Sequence, residues 1–371
     1  MSHEDLLHFR PDLTHMPYRF WALLGEAKSK CEHISRAPLL PKFREEMHRI
    51  SLVKGVLATT AIEGNTLNQG EVEAILAGKL RMPPSKAYLE QEIRNVVDAI
   101  TALVSEEGRA LLTIEALCEY NSRILANLEL EDGLVAGALR KRNVGVGSYR
   151  CPPWENVPAH AAAFVKWFNA FEHTLTENFE LQTAIIKAIL SHVYFVLIHP
   201  FADGNGRTAR LLEWHVLDTA GVSTAAVHLL SNFYNETRSR YYAELDKVSK
   251  TGKIDSFLLY AVQGFVDQLA EQLGLIEKQQ QELVFLRRLE DAYSANNTAT
   301  AARRRLLAFA LAQHGPADFR ALRTLTGEVA AAYATKTSKT LTRDLNALRV
   351  DRLIEWSDDV KGYVALLDPS V

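Results

Sequence analysis

One twelve-residue segment decides how this chain is interpreted: His199-Pro200-Phe201-Ala202-Asp203-Gly204-Asn205-Gly206-Arg207-Thr208-Ala209-Arg210. The residues before it, 181–198, are strongly apolar and predict a helix that is buried on most sides. Proline disfavours helical geometry at the preceding residue, so this helix is expected to end at His199 and to release a loop. A second helix is expected from about Asn205 to Gly221. The sequence therefore predicts two helices joined by a short polar loop.

Each polar group of this loop suits work on a polyphosphate. Glycines let the backbone approach an anion closely, and the free N–H groups at a helix start bind phosphate oxygens. Arg207 and Arg210 are three positions apart, so both can project from one side of the first helical turn. Asp203 can hold a Mg²⁺ ion that bridges phosphates, and His199 can take a proton from an attacking hydroxyl. Zinc binding is the weaker alternative, because no third His, Cys or Glu lies at matching spacing.

The rest of the chain is mainly α-helical by its periodicity. Apolar residues recur at helical spacing in residues 41–57, 89–104, 114–128 and 157–171. Alternating valines and glycines, closed by a proline pair, predict a short exposed hairpin at residues 142–153. The expected fold is a mainly α helical bundle with a short β-hairpin. The expected domains are residues 1–110, 111–275 and 276–371.

The C-terminal residues have the pattern of a small separate domain. Helices are predicted at 306–312, 319–325 and 338–353, with a terminal strand at 362–367, which is winged-helix order. Residues 297–371 contain eleven Lys and Arg against eight Asp and Glu. Lys336, Lys339 and Arg343 are spaced so that they can form one basic stripe on a helix. This stripe is either a DNA contact or an ordinary solvated face.

Composition limits the class of protein. The chain has 371 residues, of which 47% are hydrophobic and 23% charged. This hydrophobic content is enough to form several cores and argues against wholesale disorder. The net charge of -3 argues against a surface built to coat nucleic acid. Cys31, Cys118 and Cys151 have no CxxC spacing, so a reducing compartment is expected. With no basic leader before an apolar stretch, and with apolar runs such as 193–198 too short for a bilayer, we expect a cytoplasmic protein without a membrane span.

The segment at residues 199–210 resembles the signature HPFxDGNGRxxR of the Fic family at every specified position. The resemblance implies transfer of AMP from ATP to a Tyr, Thr or Ser hydroxyl of a target protein, with His199 as general base. It implies that Phe201 anchors the loop in the core and that Asp203 carries Mg²⁺. It assigns nucleotide binding to Asp203, Gly204, Asn205, Gly206, Arg207 and Arg210, the last of which meets the γ-phosphate.

Two further segments resemble Fic elements. The hairpin lies where the family has a flap that pairs with the backbone of the target by strand addition, which assigns target binding to Val144, Gly145, Val146, Gly147 and Ser148. Tyr241 and Tyr242 resemble a tyrosine pair that helps to form the adenosine pocket. Helix packing is the alternative role for this pair.

A third segment, Thr59-Thr60-Ala61-Ile62-Glu63-Gly64, resembles the inhibitory motif of the N-terminally inhibited Fic subclass. The resemblance implies that Glu63 pairs with Arg210 and withholds it from ATP. The alternative is a capping box that starts a helix at Thr60 and Glu63. Gly64-Asn65 favours the first interpretation, because this pair is a helix-stop signal.

Two classes of function follow. The first is a protein adenylyltransferase that uses ATP and Mg²⁺, is held in check by Glu63, and acts on a target protein or on itself. Some relatives also remove AMP at the same site. The second is a nucleotide-sensing transcriptional regulator that binds DNA through its C-terminal domain. DNA and a second copy of the chain are therefore candidate partners beside the unidentified target.

Overall fold

The computed structural model describes residues 7–105, 111–171, 179–293 and 298–367. It consists of two compact units, Met1–Leu273 and Gly274–Val371. The described residues form fourteen α-helices and two small antiparallel sheets of two strands each. The expected mainly α class with a short hairpin is thereby confirmed.

The first unit is a helical bundle with one hairpin. The hairpin pairs β1 (Gly145–Val146) with β2 (Tyr149–Arg150), inside the predicted range. Short 3₁₀ turns lie at Pro84–Lys86 and Trp154–Asn156. The helices within this unit are α1 Tyr18–Arg36, α2 Pro41–Ile62, α3 Gln69–Leu76, α4 Ala87–Ser105, α5 Ile114–Ile124, α6 Val157–Ala170, α7 Glu180–Ile198, α8 Asn205–Thr219, α9 Leu229–Glu236 and α10 Arg238–Thr251. Helix α11, Asp255–Tyr293, begins in the first unit and continues past Leu273 into the second.

Helix α7 forms the centre of the first unit and packs against α1, α6 and α8. Ile186, Ile189 and Val193 are completely buried, as the apolar sequence predicts. By length and composition α7 is also apolar enough to cross a membrane, but 72% of its most apolar window is buried inside the protein. The central helix of a globular core has the same properties. The helix ends at Ile198, with His199 as its C-cap directly before the proline that was expected to stop it.

Helix α2 leads into the predicted inhibitory motif at residues 59–64 and ends at Ile62. Glu63 is its C-cap, and Gly64 lies in the left-handed region at φ 106°. Thr60 lies in the last turn, where its hydroxyl donates to the carbonyls of Val56 and Leu57. The interpretation of Thr60 and Glu63 as a capping box is therefore wrong, because no helix begins there. The capping box of this region is formed by Asn68 and Glu71 at the start of α3.

The helix predicted at 114–128 is shorter than expected. Helix α5 ends at Ile124, because the side-chain amide of Asn95 donates to the carbonyls of Ile124 and Ala126. These carbonyls are thereby satisfied without a further helical turn. Asn127 then turns the chain in the left-handed region at φ 57°.

The second unit has its own core, built on Leu307, Leu311, Leu341, Leu345 and Leu348. The segment predicted as a helix at 319–325 is a 3₁₀ turn at Ala321–Thr324, started by Asp318 Oδ1, which accepts the N–H groups of Arg320 and Ala321. The strand at Ile354–Ser357 and the short helix at Gly327–Tyr333 were not predicted, because each is too brief to show a period. The elements are α12 Ala299–His314, α13 Gly327–Tyr333, α14 Ser338–Val350, β3 Ile354–Ser357 and β4 Gly362–Ala365.

Candidate active site

His199 lies at the C-cap of α7 with φ 50° and ψ 61°, a left-handed conformation that is uncommon for a residue other than glycine. Its backbone N–H still donates to Phe195 O at 2.9 Å, so the imidazole is attached to the last helical turn. Imidazole Nδ1 lies 3.3 Å from Val196 O, a carbonyl that only accepts. This contact places the proton of the neutral ring on Nδ1 and leaves Nε2 able to accept one.

The surroundings of His199 keep the ring neutral. Burial, with a smaller contribution from the positive charge of Arg140, lowers its pKa to about 4, against the opposing effects of the Val196 carbonyl, Glu63 and Asp203. A ring with this pKa is uncharged at pH 7 and can accept a proton. That is the state in which a histidine acts as general base.

The loop after His199 is braced by Asn205. The Asn205 side chain accepts the N–H of Phe201 at 3.0 Å and donates to the carbonyl of the same residue at 2.8 Å. Phe201 is 1% exposed and packs against the ring of Phe195, so it lies in the core as expected for the loop anchor. The side chain of Asn205 is thus used within the loop, which leaves its backbone N–H at the start of α8 to face an anion.

Asp203 and Gly204 form the outer turn of the loop. Gly204 has φ 76°, and its N–H donates to Asp203 Oδ1 at 2.6 Å. The Asp203 side chain is 52% exposed and lies 3.7 Å from a guanidinium nitrogen of Arg207. In the part of the chain that the structure describes, no group of three or more His, Cys, Asp or Glu comes together to hold a metal. Asp203 is therefore a single accessible carboxylate beside the loop.

Arg210 is buried beneath the cleft and is held by the end of α2. Its Nη2 donates to Glu63 Oε1 at 2.5 Å and to Thr59 O at 2.9 Å, and its Nε donates to Thr59 Oγ1 at 2.8 Å. The Glu63 carboxylate also lies against Gly206, where a Cβ atom would come within 2.2 Å of Oε1. The structure therefore brings the predicted inhibitory residue and the predicted γ-phosphate arginine together in one contact.

The Glu63 carboxylate remains charged in this position. Burial raises its pKa, but Arg210, Arg207 and His199 together lower it more, and the net pKa lies below the ordinary value. The pKa of Arg210 is raised, because the charge of Glu63 outweighs the cost of burial, so Arg210 also remains charged. An incoming phosphate would therefore meet an occupied guanidinium.

Arg207 does not share the environment of Arg210. Its Nη1 donates to Glu92 Oε1 at 2.8 Å, and both side chains are largely buried. Asn65 donates to Glu92 Oε2 at 2.9 Å and so connects this pair to the turn that follows Glu63. The two arginines expected on one side of the helix are thus held by different carboxylates. Sequence analysis missed Glu92, since a Glu on an amphipathic helix carries no distinguishing signal.

A cleft of about 480 Å³ opens beside His199 and Gly206. Tyr242 lines it, and the Tyr242 hydroxyl donates to Ile62 O at 3.2 Å. Tyr241 also lines it, but its hydroxyl points into the core and lies 2.8 Å from His192 Nε2. The tip of the hairpin forms another wall, with Ser148 Oγ donating to Asp246 Oδ1 at 2.9 Å. The cleft thus gathers Glu63, His199, the tyrosine pair and the hairpin residues Val146, Gly147 and Ser148.

Asn121 also supports the loop and was not predicted. Its side-chain amide donates to Asp203 O at 2.9 Å and its Oδ1 accepts the N–H of Gly137 at 2.9 Å. Asn121 is 1% exposed, on the buried face of α5. An asparagine in an amphipathic helix gives no sign of its burial in the sequence.

The geometry agrees with comparisons to known proteins. Residues 111–217 match the Fic/DOC family. Protein adenylyltransferase fic-1 of Caenorhabditis briggsae is 28% identical over 256 residues, covering 68% of this chain and 46% of that protein. Protein adenylyltransferase Fic of Nematostella vectensis is 30% identical over 204 residues, covering 54% of this chain and 44% of that protein. The chain thus spans about half the length of the curated relatives that it matches.

Solved structures share the fold. A Fic family protein from Desulfovibrio desulfuricans superposes with a TM-score of 0.59 at 22% identity and covers 93% of both chains. Fic-1 of C. elegans superposes with a TM-score of 0.55 at 24% identity, covering 70% of this chain and 73% of that one. The chain is therefore similar to Fic/DOC proteins, with the family match at residues 111–217.

Proposed function

We propose that this protein transfers AMP from ATP to a Tyr, Thr or Ser hydroxyl of a protein. The observation that supports this most directly is the neutral imidazole of His199, with Nε2 free to accept a proton, beside the signature loop in a cleft of about 480 Å³. Curated relatives that match 68% of this chain are named protein adenylyltransferases. Only the class of target is proposed, a protein with a Tyr, Thr or Ser hydroxyl, and the chain itself is one candidate substrate.

In the proposed reaction, His199 Nε2 removes the proton of the attacking hydroxyl. The hydroxyl oxygen forms a bond to the α-phosphorus of ATP, the bond from that phosphorus to the bridging oxygen breaks, and pyrophosphate leaves. The N–H groups at the start of α8 face the phosphates and stabilise the charge that develops on their oxygens. His199 acts as base because burial keeps its pKa near 4 and the ring uncharged.

Asp203 suits the Mg²⁺ that accompanies ATP as substrate. Its side chain is about half exposed at the outer turn of the loop, where one carboxylate and phosphate oxygens can form the set of ligands that Mg²⁺ prefers. Tyr241 and Tyr242, on the wall of the same cleft, are proposed to pack against the nucleoside. The flap residues 144–148 are proposed to pair with the backbone of the target, since the exposed edge of a short hairpin can accept one more strand.

Glu63 is proposed to inhibit the reaction. Its carboxylate occupies Arg210 and lies against Gly206, where the phosphates would have to pass. ATP bound without Arg210 would have its α-phosphorus out of line with the hydroxyl, and small misplacements lower rates by large factors. Displacement of Glu63 would free one guanidinium that Thr59 still holds in place.

The regulator that binds DNA is not favoured. Lys339 and Arg343 are exposed on α14. However, the β3–β4 hairpin beside that helix carries exposed Glu355, Asp358 and Asp359. A DNA-binding hairpin next to such a helix would need the opposite charge to approach phosphates.

The proposal is tested by incubation with ATP labelled at the α-phosphate, Mg²⁺ and a lysate, and separately without lysate. We expect protein-bound label that is absent with His199→Ala and absent when the label is on the γ-phosphate. Label that appears from γ-labelled ATP would indicate phosphorylation instead, and equal labelling by His199→Ala would reject the assigned base. Chase of labelled protein with unlabelled chain measures AMP removal in the same assay.

A further inference from the structure

Arg140 is a buried guanidinium whose partners are backbone carbonyls. The residue is 3% exposed and lies four positions before Val144, the first flap residue, in the stretch Arg140-Lys141-Arg142-Asn143. Burial lowers its pKa, and no carboxylate contributes to its electrostatic surroundings among the described residues. A buried charge without a counter-ion is costly unless its donors are hydrogen-bonded. The position of those donors is therefore the informative feature.

The Arg140 side chain connects two segments that the proposed reaction must align. On one side, Nε donates to His199 O at 2.8 Å and Nη2 donates to Ile198 O at 3.4 Å. On the other side, Nη1 donates to Arg142 O at 2.9 Å and Nη2 donates to Pro152 O at 2.6 Å. Arg142 and Pro152 lie at the two ends of the hairpin. One side chain thus holds the backbone of the base and both ends of the flap.

These contacts answer a specific need at the end of α7. The last carbonyls of a helix have no partner within the helix, and a cation there satisfies both the hydrogen bond and the helix dipole. His199 also has a left-handed backbone, a strained conformation that persists only where its surroundings hold it. The contact continues along the loop, since the N–H of Arg140 donates to Pro200 O at 2.9 Å and Leu139 pairs with Phe201.

We propose that Arg140 is the positioning residue that holds His199 and the target-binding flap in a fixed position relative to each other. A target strand docked on the flap then presents its hydroxyl to the imidazole at a set distance. This inference rests on the proposed transfer of AMP and deepens it, because it names what aligns the target with the base. Arg140 itself touches neither nucleotide nor target. Only a guanidinium offers enough donors in a rigid plane to reach all four carbonyls, whereas lysine supplies a point charge.

The matched variants are Arg140→Lys, Arg140→Met and Arg142→Met, each in the Glu63→Gly background. Arg142 is the control, because its side chain is exposed and pairs with exposed Glu131. Label incorporation into the chain itself is measured over a range of ATP concentrations. We expect both Arg140 variants to lower the rate at saturating ATP by about tenfold to a hundredfold. The ATP concentration for half-maximal rate should stay within about twofold, and the control should match its parent.

A second measurement does not need activity. Hydrogen exchange of peptides covering 142–152 and 198–205 should rise together in Arg140→Lys and in neither peptide of Arg142→Met. If the parent transfers no AMP, the proposed function fails and this exchange pattern alone decides the role of Arg140. Arg140→Lys retains the positive charge, so both measurements can be made on this variant if Arg140→Met does not fold. An unchanged saturating rate in Arg140→Lys, a half-saturating ATP concentration that shifts as much as the rate, or greater exchange in only one peptide would overturn the inference.

Discussion

Glu63, on the wall of the cleft, meets Arg210 buried beneath it, with 2.5 Å between Glu63 Oε1 and Arg210 Nη2. The same guanidinium donates to the hydroxyl and the carbonyl of Thr59, one turn earlier on α2. The Arg210 side chain is 1% exposed, whereas the Glu63 side chain is 31% exposed. The carboxylate can therefore swing away into the cleft while Thr59 keeps the arginine in position. This asymmetry makes the contact reversible from one side only.

Replacing Glu63 by glycine should raise AMP transfer, including self-modification, by at least about tenfold, because removing the carboxylate lets the γ-phosphate reach Arg210 and align the α-phosphorus. The measurement is incorporation of label from α-labelled ATP by wild type and Glu63→Gly at equal concentration. Glu63→Asp should give partial release, since a shorter carboxylate reaches Arg210 less well.

The control for this experiment is the double variant Glu63→Gly/His199→Ala. Loss of a general base lowers rates by about a hundredfold to ten-thousandfold, so label should fall to background. A gain in Glu63→Gly that survives in the double variant would show that the label does not come from the proposed site. No gain in the single variant would show that Glu63 does not inhibit.

The motif and the elements around it were predictable because their signals are local. Pro200 stops α7, Gly204 permits the left-handed turn before α8, and Gly64 ends α2. Each of these effects depends on a residue and its immediate neighbours in the chain. The contact between Glu63 and Arg210 has no local signal, because 147 positions separate the two residues. It was expected from the resemblance to the Fic family instead.

Glu92, Asn121 and Arg140 were not predictable for the opposite reason. Each is a polar residue in or beside an element whose sequence fits a solvated position, and tertiary packing alone makes it a buried partner. Arg140 is followed by Lys141 and Arg142, which are exposed. Nothing in the order of these three basic residues distinguishes the one that holds four carbonyls. Sequence shows which groups a loop carries, whereas the residues that brace the loop come from distant segments.

His199 should remain uncharged well below neutral pH. With a pKa near 4, its imidazole should show no titration between pH 7.5 and 5.5, whereas an unperturbed histidine would be half protonated near pH 6.5. NMR of histidine-labelled protein measures this, with the signal assigned by its loss in His199→Gln. Because Glu63 raises this pKa, Glu63→Gly should lower it further. A midpoint near 6.5 in either protein would contradict the proposed cause.

The same shift has a consequence for stability. Between pH 6.5 and about 4 the unfolded chain binds a proton at His199 that the folded chain does not bind. The contribution of this residue to the free energy of unfolding should therefore fall as the pH falls through that window. His199→Gln should remove part of the pH dependence of urea unfolding there. An equal slope in variant and wild type would mean that His199 does not contribute.

Two helical glycines should respond oppositely to alanine. A Cβ at Gly55 on α2 would lie 2.2 Å from His228 Nδ1, a buried ring at the start of α9. Gly55→Ala should therefore lower the free energy of unfolding by about 1–3 kcal/mol. A Cβ at Gly25 on α1 meets nothing within 4 Å, so Gly25→Ala should raise it by up to about 1 kcal/mol. Urea unfolding of the two variants measures both, and equal changes would show that close packing does not require glycine at position 55.

Asp344 should be the main electrostatic support of the second unit. It is 1% exposed on α14, and its carboxylate accepts from Arg303 Nε at 2.8 Å, Arg304 Nε at 2.9 Å and the hydroxyl of Tyr333 at 3.0 Å. Burial raises its pKa, but these hydrogen bonds lower it more, and the net pKa lies below the ordinary value.

Replacement by asparagine keeps the shape of Asp344 and removes its charge, which leaves two partly buried guanidinium groups without a counter-ion. Asp344→Asn should therefore lower the free energy of unfolding of the second unit by about 3 kcal/mol. Asp359→Asn, at an exposed position of the β3–β4 turn, should change it by less than about 0.5 kcal/mol.

The stabilisation by Asp344 is present above the pKa of the unfolded carboxyl and is lost as the pH falls through the lower, folded value. The difference between wild type and Asp344→Asn should accordingly shrink in acid. Hydrogen exchange of peptides from α12 and α14 at pH 7 and at about pH 2.5, well below the ordinary Asp pKa of about 3.9, measures this. An equal difference at both would show that packing, not charge, makes Asp344 necessary.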